Sequence, residues 1–128
     1  MNIPVFVLMM LCILPINCAW VSGYFRQKQL GTIDNKNPRA QNTQLTGAGA
    51  RAVAAQLNAW EALAVYAAAL LALTIAQVPV ASYAMLTLVL LGCRIAHAVC
   101  YIANQDIVRS LAFLGGYGLC IYFFVLAL

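Results

Sequence analysis

The chain has 128 residues, of which 65% are hydrophobic and only 8% are charged. This composition excludes a soluble domain, which needs far less apolar surface at this length, and it predicts a polytopic membrane protein with one helical bundle. The net charge of +4 comes mainly from basic residues in and beside one polar segment, so it indicates membrane topology and argues against a nucleic-acid partner.

The first hydrophobic segment covers residues 3–25 and is long enough to span a bilayer. No Lys or Arg stands at its start, so the basic region of a signal peptide is missing, and we expect a mature transmembrane helix. Pro15 predicts a kink within it. The polar, turn-rich stretch 26–49 is expected to form one loop, in which Asn37-Pro38 prevents a helix. The basic residues of this loop predict that it is cytoplasmic.

Three further helices are expected over residues 50–77, 80–104 and 109–128. Only a tight turn separates the second span from the third, and a short cytoplasmic loop separates the third from the fourth. The fold class predicted is therefore all-α, an integral membrane four-helix bundle that forms a single domain over residues 1–128. With four spans, both termini lie on the non-cytoplasmic face.

Polar residues share one face of the second predicted span. At about 100° per residue, Arg51, Asn58 and Glu61 fall within about 80° of one another. Glu61 is the acidic residue of an otherwise apolar run. A charge inside the membrane boundary costs a few kcal/mol unless it is paired, so Glu61 is a candidate functional residue.

The third predicted span carries a matching set of polar residues. Arg94, His97 and Tyr101 also fall within about 80° on one face, and Arg109 enters the fourth span at a similar depth. Arginines bind carboxylates, and a carboxylate binds an ammonium group, so this layer predicts a pocket for a zwitterionic, mostly anionic ligand. The alternative is a structural ion pair between Glu61 and Arg94 with arginines that snorkel towards the interface.

The five cysteines all lie in apolar runs, where they are expected to act as small core residues. Cys93, His97 and Cys100 share one helical face, which is a pattern that could suggest metal ligands. Zinc would also need a fourth ligand or an open water position, together with a second shell that orients the ligands. No metal site is therefore expected.

At these residues the sequence resembles the MAPEG family, the membrane-associated proteins of eicosanoid and glutathione metabolism. The similarity covers all four spans, and the loop segment 34–39 resembles that of small bacterial members. The matching positions are Arg51-Ala52, Ala55-Gln56, Asn58 and Glu61 in the second span, Gly92-Cys93-Arg94-Ile95-Ala96-His97 and Tyr101 in the third, and Arg109-Ser110 in the fourth.

The resemblance implies a homotrimer in a bacterial inner membrane, with periplasmic termini and glutathione bound between neighbouring subunits, open to the cytosol. It implies a glutathione transferase or peroxidase that acts on lipophilic electrophiles or lipid hydroperoxides from the surrounding membrane lipids. Arg109 and Ser110 would face the thiol. The residues implied to bind glutathione are Arg26, Arg51, Gln56, Asn58, Glu61, Arg94, His97 and Tyr101.

Two positions depart from the family pattern. Ala54 stands where eicosanoid synthases have a glutathione-binding arginine, and Arg51 lies one turn away as a potential replacement. Phe113 stands where prostaglandin E synthase has a tyrosine near the thiol, so eicosanoid chemistry is not expected. The change at Ala54 leaves a non-catalytic membrane partner or lipid-binding homologue as the main alternative. A small multidrug transporter is less favoured, because its acidic residue is expected in the first span.

Overall fold

The computed structural model describes residues 2–128, and over this range the chain forms five α-helices. Four of them are long and apolar enough to cross a membrane. These are α1 (Ile3–Leu30), α3 (Gly47–Ile75), α4 (Ala84–Ile102) and α5 (Asp106–Leu126), and the short α2 (Pro38–Asn42) lies between α1 and α3. The prediction of an all-α membrane bundle with four spans is confirmed.

The first helix is longer than the hydrophobic run that predicted it. It continues past residue 25 to Leu30, because the polar residues that follow the apolar segment are still good helix formers. It ends at Gly31, which has a φ of +77° and donates its backbone N–H to the Gln27 carbonyl over 3.1 Å. The C-terminal end is thus set by a left-handed glycine cap rather than by the loss of hydrophobicity.

The expectation that Asn37-Pro38 prevents a helix in the loop was wrong. Pro38 is the first residue of α2, a position where the missing N–H of proline costs no helical hydrogen bond. The other helix ends also differ from the predicted ranges. A short 3₁₀ turn, Val80–Ser82, precedes α4, and α5 starts at Asp106 rather than at Arg109.

Side chains hold the loop in a fixed conformation. The carboxylate of Asp34 accepts hydrogen bonds from the backbone N–H groups of Asn37 (3.1 Å) and Lys36 (2.8 Å), and these bonds hold the pKa of Asp34 below its usual range. The buried side chain of Gln41 accepts from the Asp34 N–H over 2.9 Å and donates to the Thr32 carbonyl over 2.7 Å. The loop is therefore ordered around Asp34 and Gln41.

A pair of hydrogen bonds closes the base of this loop. The side-chain amide of Gln29 accepts from the backbone N–H of Thr46 over 3.0 Å and donates to the Thr46 carbonyl over 3.1 Å. We call this pair the Gln29–Thr46 clasp. Next to it, a Cβ atom on Gly49 would lie only 3.0 Å from the Phe25 Cβ. The glycine thus permits α1 and α3 to approach closely at the loop end of the bundle.

The apolar core fills the half of the bundle that lies away from the loop. In this half the fully buried Tyr66 of α3 donates its hydroxyl hydrogen to the carbonyl of Pro4, at the start of α1, over 3.0 Å. A smaller cluster nearer the loop contains Cys18, Ala55 and Ala98. The half near the loop therefore leaves room for polar side chains between α3, α4 and α5. The buried members of the main cluster are Val7, Leu11, Tyr66, Ala69, Leu73, Tyr83, Leu90, Leu91, Cys120 and Phe123.

Candidate functional site

A line of hydrogen bonds connects α4 to α3 in the polar half of the bundle. Arg94 is only 4% exposed, and its Nη2 donates to the side-chain Oδ1 of Asn58 and to the Asn58 carbonyl, the latter over 3.5 Å. The Asn58 Nδ2 in turn donates to Oε2 of Glu61 over 3.3 Å. Asn58 therefore connects Arg94 to Glu61, and this Arg94–Asn58–Glu61 line takes the place of the direct ion pair considered above.

The line lies in a cleft between α3, α4 and α5. The cleft has a volume of about 100 Å³. Its polar end contains the exposed carboxylate of Glu61 and the buried Nε of Arg94, which has no hydrogen-bond partner. Both residues line the cleft, which therefore combines an exposed carboxylate with a buried guanidinium group that keeps one donor without a partner. The remaining lining is largely apolar and consists of Ala62, Val65, Leu90, Phe113, Gly116, Tyr117 and Cys120.

A second group of predicted residues lines a separate groove between α4 and α5. This Arg109 groove has a volume of about 360 Å³ and is lined by His97, Tyr101, Arg109, Ser110, Phe113 and Leu114. The guanidinium carbon of Arg109 lies 4.6 Å from the centroid of the Tyr101 ring, a cation–π contact. The ring of His97, which is 3% exposed, lies 5.5 Å from that of Tyr101. The groove thus places a cation and a hydroxyl beside an aromatic wall.

Phe113 separates the cleft from the Arg109 groove and lines both of them. The Arg94 guanidinium carbon lies 5.9 Å from the centroid of its ring, and the His97 ring lies at the same distance. Tyr117 stacks on Phe113 with a centroid separation of 5.8 Å and an angle of 6° between the rings. The predicted site therefore has two compartments with one aromatic wall between them.

Three of the predicted ligand-binding residues lie outside the linings of both compartments. Gln56 lines another groove on α3, together with Arg39 of α2 and Trp60. The Nε of Arg51 donates to the Ile102 carbonyl over 3.0 Å and so binds the end of α4. Arg26 lies in the last turns of α1, where its buried Nε and Nη1 have no hydrogen-bond partner. One subunit therefore unites Asn58, Glu61 and Arg94 in the cleft and His97, Tyr101, Arg109 and Ser110 in the groove.

The contribution of α5 to the cleft was missed by the reasoning from sequence. Gly116, Tyr117 and Cys120 line the cleft, and with Arg109 and Phe113 they occupy positions i, i+4, i+7, i+8 and i+11 of one helix. This spacing defines a single helical face. The spacing is visible in the sequence, but the apolar residues on this helical face look like ordinary membrane-facing residues.

Within residues 2–128 the structure contains no group of three or more His, Cys, Asp or Glu side chains that could hold a metal ion. The cysteines of this range are all free thiols, and Cys18 and Cys120 are buried. The cleft and the groove are lined by arginine, carboxylate, amide, hydroxyl, imidazole, thiol and aromatic groups, together with aliphatic side chains.

Comparison with known proteins gives one match. The model of a family described as the MAPEG family matches residues 3–128, which include all four membrane-crossing helices and both compartments of the candidate site. Searches of curated proteins and of solved structures give no match. Because the family match extends over almost the whole chain, the protein belongs to the MAPEG family, a family of membrane proteins associated with glutathione.

Proposed function

We propose that the protein is a glutathione-dependent membrane enzyme, a transferase or peroxidase that acts on lipophilic electrophiles or lipid hydroperoxides from the bilayer. Membership of the MAPEG family supports glutathione as the thiol substrate. The observation that carries the proposal is the Arg94–Asn58–Glu61 line in a cleft that shares its Phe113 wall with the Arg109 groove.

The cleft matches the charges at the γ-glutamyl end of glutathione, which carries one ammonium and one carboxylate. The exposed carboxylate of Glu61 would accept hydrogen bonds from the ammonium group. The guanidinium group of Arg94, which lines the cleft, would attract the carboxylate, and Asn58 fixes the spacing between Glu61 and Arg94. His97 and Tyr101 would line the remaining path towards the thiol.

The Arg109 groove would activate the thiol. A free thiol has a pKa of about 8.5, and the thiolate is the nucleophile. Arg109 lies in the first turns of α5, where its own charge and the positive end of the helix dipole both favour an anion. Ser110 can donate a hydrogen bond to the sulfur. In the transferase reaction the thiolate would attack an electrophilic carbon, form a thioether and break the bond to a leaving group such as chloride, which departs as the anion. In the peroxidase reaction it would attack a hydroperoxide oxygen and break the O–O bond, which releases an alcohol and leaves a sulfenic acid; a second glutathione would convert this to glutathione disulfide and water.

We propose a homotrimer, as the family resemblance implies, and two observations support an assembly in which neighbouring copies complete each site. The cleft of one subunit has a volume of about 100 Å³, whereas sites for small molecules usually have about 300–1,000 Å³. Asn58 lines the cleft, whereas Gln56 of the same helix lines a different groove. A ligand that contacts both residues therefore needs Asn58 from one copy of α3 and Gln56 from another. A neighbouring copy would supply Gln56 and Arg26 and would shield Glu61 from lipid.

The distribution of basic residues supports a cytoplasmic active site. Lys36 and Arg39 lie in the loop between α1 and α3, at the same end of the bundle as Arg109. We place both termini in the periplasm and the protein in a bacterial inner membrane. A cysteine introduced at the exposed Thr43 should react with a membrane-impermeant maleimide only after the cells are opened, whereas labelling in intact cells would reverse this orientation.

One alternative function has specific support. Ala54 offers no cation for glutathione, and Arg51 is engaged by the Ile102 carbonyl instead of facing the cleft. These two features favour a non-catalytic MAPEG homologue whose cleft binds a lipid headgroup. In the first function the bound molecule is a thiol that the protein consumes in a reaction, whereas in the second the bound molecule is not chemically changed.

The test is calorimetry of the purified protein with glutathione in mild detergent, followed by turnover assays with 1-chloro-2,4-dinitrobenzene and cumene hydroperoxide. The proposal expects saturable binding and glutathione consumption with at least one of these two probes. Binding without turnover would favour the non-catalytic homologue. Absence of binding at millimolar glutathione would overturn the proposed function.

A further inference from the structure

Two adjacent glycines of α5 lie against the residues of α4 that begin the polar line. A Cβ atom on Gly116 would lie 3.1 Å from Cδ of Arg94 and 3.5 Å from the Cβ of Cys93. A Cβ atom on Gly115 would lie 3.3 Å from the Cys93 Sγ. Gly115 and Gly116 thus form a notch in which the side chains of α4 rest on the backbone of α5. We call it the glycine notch.

The arginine that crosses the notch has little freedom to move. Arg94 is 4% exposed, and its Nη2 is fixed on α3 by the side chain and the carbonyl of Asn58. A methyl group at Gly116 would push the middle of this side chain while its far end is held. Because both residues line the cleft, that displacement would change the position of the cation within the space for the ligand.

The orientation of the Asn58 amide also depends on Arg94. Oδ1 of Asn58 accepts from the guanidinium group, which directs Nδ2 towards Glu61. If Arg94 moves, Asn58 can rotate and Glu61 loses the hydrogen bond that orients it. A small side chain at Gly116 would therefore affect three polar groups in sequence, although Gly116 itself offers no polar side chain to a ligand.

The geometry points to Gly116 as a positioning residue that seats Arg94, and through it Asn58 and Glu61, to receive the ammonium and carboxylate of a γ-glutamyl group. The identity of this ligand rests on the proposed function. The contact between Gly116 and Arg94 does not, and it can be tested without any ligand.

The first test measures thermal unfolding in detergent. Gly118→Ala is the matched control, because Gly118 lies in the same helix and a Cβ atom there would meet nothing within 4 Å. Both substitutions bring the same gain in helix propensity. Gly116→Ala should give a lower Tm than Gly118→Ala. In a protein that already carries Arg94→Ala, adding Gly116→Ala should raise the Tm above that of Arg94→Ala alone, because the added methyl group fills space that the arginine has left. Equal effects of Gly116→Ala in the two backgrounds would overturn the proposal.

The second test compares the Kd for glutathione with that for cysteinylglycine, which lacks the γ-glutamyl group. Gly116→Ala should weaken glutathione binding by about tenfold and leave cysteinylglycine binding unchanged, whereas Gly118→Ala should change neither. An equal loss for both thiols, or no loss for either, would overturn the positioning role. If the wild-type protein binds no glutathione, the proposed function fails, and the unfolding test alone decides whether Gly116 positions Arg94.

Discussion

Glu61→Gln separates a ligand contact from a structural one in the cleft. The substitution removes the charge but keeps an oxygen that can accept the 3.3 Å hydrogen bond from Asn58 Nδ2. Because the glutamine keeps the hydrogen bond to Asn58, and Glu61 is linked to Arg94 only through Asn58, the free energy of unfolding should change by about 0.5 kcal/mol or less. A charge-assisted hydrogen bond to the ligand's ammonium is worth about 1.5–3 kcal/mol, so glutathione binding should weaken by roughly 10- to 100-fold.

The assay for Glu61→Gln combines calorimetric titration with glutathione and thermal unfolding in the same detergent. Asp106→Asn is the control, because it removes an exposed carboxylate at the first position of α5, outside the cleft. It should leave glutathione affinity unchanged. The reasoning is refuted if Glu61→Gln lowers stability by more than about 3 kcal/mol while the affinity stays the same. That result would identify Glu61 as the partner of a buried charge.

Three further predictions concern the thiol, the assembly and the loop. Arg109→Ala should lower the thiolate fraction of bound glutathione at a given pH while binding is largely retained, and identical ultraviolet titrations of mutant and wild type would remove Arg109 from the mechanism. Native mass spectrometry in mild detergents should find a trimer, and a stable monomer or dimer would contradict the shared site. Because the pKa of Asp34 is held below its unfolded-state value of about 4, its contribution to loop stability should be present above that pH and lost as pH falls through the folded-state pKa. The protection of the Lys36 and Asn37 amides against hydrogen exchange, measured relative to the intrinsic exchange rate at each pH, should fall over this range, and Asp34→Asn should abolish this loss of protection.

The four membrane-crossing helices could be predicted from hydropathy, but several of their ends could not. Hydropathy follows the depth of a residue in the membrane, whereas a helix ends where its backbone is capped. The first helix runs on through polar residues to the cap at Gly31. The Asn37-Pro38 pair predicts a break in the helix, but Pro38 occupies the first position of a helix, where proline is well tolerated.

The polar layer could be predicted in its main parts because helical spacing and membrane depth are both readable from sequence. Together they predict that Arg94 lies at the same depth in the membrane as Asn58 and Glu61. They do not specify which polar atoms meet, so the position of Asn58 between the two charges required the structure. The contact of Arg51 with the Ile102 carbonyl was also unpredictable, because it depends on where α4 ends.

The two hydrogen-bonded ends of the α1–α3 pair have a consequence for the order in which the chain folds during synthesis. The Gln29–Thr46 clasp joins the two helices at the loop, and the bond from Tyr66 to Pro4 joins them at the opposite end. All of these partners have been synthesised before α4 begins at Ala84. An antiparallel hairpin can therefore form while the ribosome is still translating α4 and α5, which must later dock against a surface that is already formed. A ribosome-bound chain that has just exposed α3 should already form a disulfide between cysteines placed at positions 25 and 49, because the Cβ atoms of these positions would lie about 3.0 Å apart.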